Sequence, residues 1–224
     1  MIFKNKNKMV EELQSDAEIF ALLASFYLTN PNGTYASGMA ALEVDMIEDK
    51  TMKKVVKKIR DYASKCGMDE SEVNLLELKR DWTKLFRGIS PTYGPKPPYA
   101  QLFSNAVDVT FLSALAELYL DVGYVGYKKI DDRLDYIGIV LDALAVINIL
   151  RKKSVEDNNE VEYKRLTYIF NCIAQQYFAS WFKDFQELAQ THVKTPFFEG
   201  AIELTALVAE DFSIKSQATN YELP

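Results

Sequence analysis

The chain has little with which to do acid–base or metal chemistry: one histidine, His192, and two cysteines, Cys66 and Cys172, among 224 residues. A di-iron helical bundle needs two Glu-x-x-His units, and the residue three before His192 is Ala189. The cysteines lie far apart and form no CxxC pair, so neither a disulfide framework nor a zinc knuckle is indicated, and a reducing compartment fits. Cys172 sits on an apolar helical pattern, where an inert packed thiol is the ordinary case. A small helical enzyme built on Cys172 and His192 is a third reading, behind two protein-binding ones. The nine glycines form no GxxxxGK[ST] loop, and "GYVGYKK" lacks the strand–loop–helix context of a dinucleotide fingerprint. No cofactor or metal is called for.

Positive charge is also short. With 26 basic against 32 acidic residues the formal charge is -6, which excludes a general nucleic-acid footprint and suits a basic partner. In "KKVVKKIR" the lysines Lys53, Lys54, Lys57 and Lys58 share one helical face and Val55, Val56 and Ile59 the other, a solvated face over a core stripe. The most apolar run, "IGIVLDALAVINIL", is broken by Asp142 and Asn148. It falls short of the roughly 20 residues that span a bilayer. At the amino end, "MIFKNKNKMVEELQSD" places acidic residues where a secretory signal carries its apolar region. The expectation is a soluble cytoplasmic protein that is not integral to a membrane.

With 48% apolar residues the chain can bury a sizeable core. Apolar residues recur at spacings of three and four, and strand-like alternation is nearly absent. The pattern predicts helices over "SDAEIFALLASFYL" from Ser15 or Asp16, "SGMAALEVDMIEDK", "TMKKVVKKIRDYASKCG" closed by Gly67, and "SEVNLLELKRDWTKLFRG". Further on it predicts "NAVDVTFLSALAELYLDVG", "DDRLDYIGIVLDALAVINILRKK" with an acidic start, a long segment restarting near Ser180, and "PFFEGAIELTALVAEDF". The expected fold is all-α, one multi-helix domain over 1–224, with the early helices able to form a subdomain and a loose tail from 214.

Within this helical chain the stretch "WTKLFRGISPTYGPKPPYAQLF" stands apart, holding four of the seven prolines and two of the nine glycines. A connector between helices is usually short and polar. Here Pro97 and Pro98 hold the backbone extended, and Trp82, Phe86, Tyr93, Tyr99 and Phe103 supply large rings. Such a pre-restricted loop either binds a partner at low entropic cost or packs down as an Ω-like lid.

The segment "DWTKLFRGISPTYGPKPPYAQLF" resembles the loop signature of the TorD/DmsD-like redox-enzyme maturation chaperones: an aromatic, a Leu-Phe pair, a glycine, then Pro-Pro-aromatic. "DDRLDYIGIVLDALAVI" resembles the second signature of that family, and the two chain ends are similar in layout, so the resemblance covers nearly the whole sequence. Trp82, Leu85, Phe86, Pro98 and Tyr99 match the first signature, and Asp135 and Gly138 the second. Tyr136 stands where the family usually has histidine, and Val140 where it commonly has glutamate.

The resemblance implies an all-helical cytoplasmic chaperone of the TorD-like type, not an enzyme, acting as a monomer or a domain-swapped dimer. Its partners would be the catalytic subunit of a molybdopterin oxidoreductase and that subunit's twin-arginine leader. In that case Asp135, with Asp131 or Asp132 nearby, would meet an arginine, and Trp82, Phe86 and Tyr99 would hold the apolar part of the leader. For Asp131 and Asp132, capping of the next helix is an equal reading. The alternative function is a helical protein-binding adaptor that uses the same loop without recognising a leader.

Overall fold

The computed structural model describes residue 3 and residues 5–69, 71–88, 93–104, 110–130 and 132–219, with side chains as far as Phe212. In chain order its α-helices are α1 (Lys6–Leu28), α2 (Gly33–Ala40), α3 (Lys50–Ala63), α4 (Val73–Phe86), α5 (Ala100–Phe103), α6 (Thr110–Asp121), α7 (Ile137–Glu156), α8 (Glu160–Ala174), α9 (Phe182–Gln190) and α10 (Pro196–Thr219). A 3₁₀ turn, Gly126–Lys128, precedes α7, and a π-helical turn, Gln175–Ala179, joins α8 to α9. Among the described residues the only extended pairing is one isolated antiparallel bridge, Tyr99 with Tyr136. The all-α expectation holds.

Several boundaries fall elsewhere than the local signals place them. α1 begins at Lys6 rather than at Ser15 or Asp16, because the apolar stripe of Leu13, Ala17 and Phe20 continues into buried positions ahead of those residues. α2 starts behind Asn32, whose side chain accepts from the Tyr35 N–H at 2.8 Å, and it ends at Ala40. Asp49 then caps α3 by accepting from the Met52 N–H at 2.7 Å, which leaves much of "LEVDMIED" outside any helix. Gly67 does not close α3, which ends at Ala63. The left-handed glycines are Gly88 (φ 58°) and Gly123 (φ 67°), which follow α4 and α6. α7 has no acidic residue in its first turn, since Asp132 and Asp135 precede it. At the far end α10 runs on to Thr219, and 220–224 lie outside the described residues.

The chain forms two compact units. The first comprises Met1–Leu28, Tyr99–Trp181 and Phe212–Pro224. Here α7 lies against both α1 and α8, and its residues Ile137, Leu141, Leu144 and Ile147 are fully buried. Each such side chain contributes about 1.5–3 kcal/mol by leaving water. Gly138 lets α1 approach closely: a Cβ there would stand 2.6 Å from Leu28 Cδ2 and 3.1 Å from Tyr27 Cβ. Phe20 of α1 meets Phe170 edge-on, ring centres 5.7 Å apart.

The second unit comprises Thr29–Pro98 and Phe182–Asp211. As the pattern predicted, Val55, Val56 and Ile59 of α3 are buried. Lys58, from the lysine face, reaches α10 and pairs with Glu199 at 3.2 Å and Glu203 at 2.9 Å. The centre of this unit is aromatic: Phe86 lies 5.3 Å edge-on from Phe198 and 6.3 Å from Phe185. Replacing this fully buried ring, Phe86→Ala, is expected to destabilise the unit by about 3–5 kcal/mol in denaturant unfolding. A loss below about 1 kcal/mol would show that the ring does not organise the core.

Candidate functional site

The second signature folds back onto the start of α5. Tyr99 and Tyr136 form the antiparallel bridge, and the Ala100 N–H donates to the Asp135 carbonyl at 3.0 Å. Their rings meet at 5.4 Å between centres. The Tyr136 hydroxyl, fully buried, donates to the Tyr27 carbonyl near the end of α1 at 3.0 Å. Tyr136 therefore joins the α7 start to α1 through its phenol hydroxyl. Nearby, the Tyr119 hydroxyl donates to the Leu134 carbonyl at 3.1 Å, and Tyr124 donates to Asp142 Oδ2 at 2.6 Å. Burial pushes the Tyr119 phenol well above its ordinary range. Burial and then the bond to Asp142 do the same for Tyr124, so both keep their protons for these bonds.

Asp135 is fully buried, and its carboxylate is occupied. Oδ2 accepts from the Gln101 backbone N–H at 2.9 Å, in the first turn of α5. Arg133 approaches both oxygens, Nε to Oδ1 and Nη2 to Oδ2, each at 3.1 Å. Asp132 does not cap α7, whose N-cap is Tyr136, a residue that makes no side-chain capping bond. Instead it accepts from the Tyr99 hydroxyl at 2.6 Å and from the Arg133 N–H at 2.8 Å. Asp131 lies outside the described residues.

The first signature lies mostly in the other unit. Trp82 is 8% exposed, Leu85 and Phe86 are fully buried, and Pro98 is buried. The Arg87 guanidinium lies 5.6 Å from the centre of the Trp82 ring. Of the eight signature residues only Tyr99 is half-exposed. Tyr99, Asp135, Tyr136 and Gly138 belong to the first unit; Trp82, Leu85, Phe86 and Pro98 belong to the second. Residues 89–92, inside the proline-rich loop, lie outside the described residues.

Sequence reasoning passed over Arg133 and Gln101, although an arginine two positions from a carboxylate is a visible signal. It also missed a pocket of about 490 Å³ in the second unit, lined by Glu77, Arg80, Asp81, Lys84, Tyr93 and Lys194. Glu77, Arg80, Asp81 and Lys84 recur at helical spacing along α4. Asp81 at the floor accepts from the Thr195 N–H at 2.8 Å and the Thr195 hydroxyl at 2.7 Å, which fixes the approach to α10. Lys84 donates to the His192 carbonyl at 2.8 Å. The sole histidine thus lends its backbone to packing. Among the described residues no three His, Cys, Asp or Glu side chains are grouped to hold a metal ion, and no helix is long and apolar enough to cross a membrane.

The chain is all-helical among the described residues, and Tyr99, Asp135 and Tyr136 meet at the junction ahead of α7. Residues 48–187 match the family described as nitrate reductase delta subunit. With more than half of its length matched, the chain belongs to this family, the NarJ/TorD-like redox-enzyme maturation chaperones. Members are chaperones and not catalysts, so the chain is not an enzyme, and the family partners a molybdoenzyme catalytic subunit. No curated protein matches the chain.

Removing the buried phenol of Tyr136, as Tyr136→Phe, leaves the Tyr27 carbonyl without this donor. The expected cost is about 1–2 kcal/mol by thermal or denaturant unfolding, with the helical circular dichroism unchanged. An unchanged midpoint would remove the α1–α7 bond from the account of the junction.

Proposed function

We propose that the protein is a cytoplasmic, client-specific chaperone that binds the leader peptide or the apo catalytic subunit of a molybdopterin oxidoreductase. It holds that subunit while cofactor insertion, assembly and, for an exported client, twin-arginine targeting proceed. The observation that carries this reading is the family match, whose span holds all eight signature residues, Trp82 to Gly138. Nitrate reductase, the enzyme in the family's description, is the first client to test.

In this reading Tyr99, the half-exposed ring, and Asp135 in the same unit meet the basic part of a leader. Leu85, Phe86, Tyr136 and Gly138, buried as they are, act by holding the loop and α7 in place. The net charge of -6 favours a basic leader at long range. A monomer or a domain-exchanged dimer would serve equally, since each copy carries the full set of signature residues.

The test is affinity capture of the tagged protein from its own source cells, together with fluorescence anisotropy on the amino-terminal peptide of the captured subunit. A large molybdopterin-type subunit is expected, with Tyr99→Ala weakening its peptide at least about tenfold, or about 1.4 kcal/mol. Peptide binding that ignores both Tyr99→Ala and replacement of the leader arginines would favour a helical adaptor instead.

A further inference from the structure

The partners of Arg133 are those a guanidinium requires. Its Nε and Nη2 fork onto the two oxygens of Asp135, both at 3.1 Å, and Nη2 also donates to Gln101 Oε1 at 2.8 Å. Its central carbon lies 4.9 Å from the centre of the Tyr99 ring. The Asp132 carboxylate fixes both the ring, through the Tyr99 hydroxyl, and the Arg133 backbone. A planar fork, a carboxylate and an aromatic face are the elements that select arginine. The Asp135 side chain is 0% exposed and that of Arg133 is 42% exposed, so the carboxylate is the floor and the guanidinium faces water. Arg133 belongs to no helix, since α7 begins at Ile137.

We infer that Asp135, Gln101 and Tyr99 form a guanidinium receptor that Arg133 fills in the free chain, and that an arginine of the client takes over by displacing it. The inference rests on the proposed reading that a client presents an arginine here. The exchange replaces like with like, so the buried carboxylate has a cation in both the free and the client-bound state. It also sets specificity. A lysine ammonium cannot make the fork, and would leave one carboxylate oxygen or the Gln101 carbonyl unmet. Arg133, tethered beside its receptor, competes at an effective concentration on the order of millimolar or more. The apparent affinity for the client is lowered by the fraction of time the receptor is open. Arg133 thus acts as a built-in threshold that a client with weak secondary contacts fails to pass.

The experiment uses the full chain, as wild type, Arg133→Ala and Arg133→Lys. Thermal unfolding is followed with low millimolar N-methylguanidinium chloride, with methylammonium chloride at the same concentration as control. The Arg133→Ala protein is expected to melt below wild type and to recover with N-methylguanidinium but not with methylammonium, while wild type responds to neither. Anisotropy with a labelled leader peptide carrying Arg-Arg, and its Lys-Lys counterpart, supplies the second measurement. Arg133→Ala is expected to bind the Arg-Arg peptide about tenfold more tightly than wild type does, with no gain for Lys-Lys. Arg133→Lys, which keeps a cation, carries the peptide comparison if the alanine variant does not fold, and a smaller gain is expected from it. Equal recovery with both cations, or with neither, overturns the receptor; Arg-Arg binding that is intact and indifferent to Arg133 then leaves the leader reading standing. Recovery with N-methylguanidinium alongside no preference for the Arg-Arg peptide overturns the client half of the inference, and the leader reading with it.

Discussion

A carboxylate with no solvent exposure has to be matched within the protein, and Asp135 sets this requirement for the whole junction ahead of α7. The Gln101 N–H and the Arg133 fork meet it. Because those partners sit on either side of the Tyr99–Tyr136 bridge, satisfying Asp135 also pins the start of α5 to the start of α7. The rest of the unit follows from that pinning. α7, buried for most of its length, can lie against α1 only with Gly138 at the close approach, and Tyr136 ties the same point to the Tyr27 carbonyl.

The candidate signature of this chain is therefore largely packed into the fold. Seven of its eight residues are buried, and they belong to two different packing neighbourhoods. Trp82, Leu85 and Phe86 serve the aromatic centre of one unit; Asp135, Tyr136 and Gly138 serve the helix junction of the other. At position 136 the junction uses a tyrosine, whose hydroxyl reaches the Tyr27 carbonyl. What the position needs for packing is a buried ring with one hydrogen-bond donor, and a phenol provides it.

Much of the fold was legible because helical periodicity is local. The stripes through Val55, Val56 and Ile59, and through Ile137, Leu141 and Leu144, are buried where the spacing put them. Boundaries were less legible, because several residues can cap but only one does. Asn32 and Asp49 were used, whereas Ser15 and Asp16 were overrun by a stripe that kept finding core. The candidate site was half legible. Its residue types could be read, but Asp132, read either as an arginine partner or as a cap, holds Tyr99, and Arg133 was passed over because its partners, Gln101 and Tyr99, stand more than thirty residues away in sequence.

By itself the sequence determined the helical class, the acidic surface, the shortage of catalytic ligands and the family to which the chain belongs. All of these depend on composition, short spacing or motif, which need no knowledge of which segments meet. Only the tertiary structure decided that the signature is mostly buried, that α4 and α9 share an aromatic centre, and that the Asp135 charge already has an arginine. Those outcomes depend on pairings across long stretches of chain. In each, the energy depends on two groups being brought together from distant parts of the chain, a quantity that neither local sequence contains.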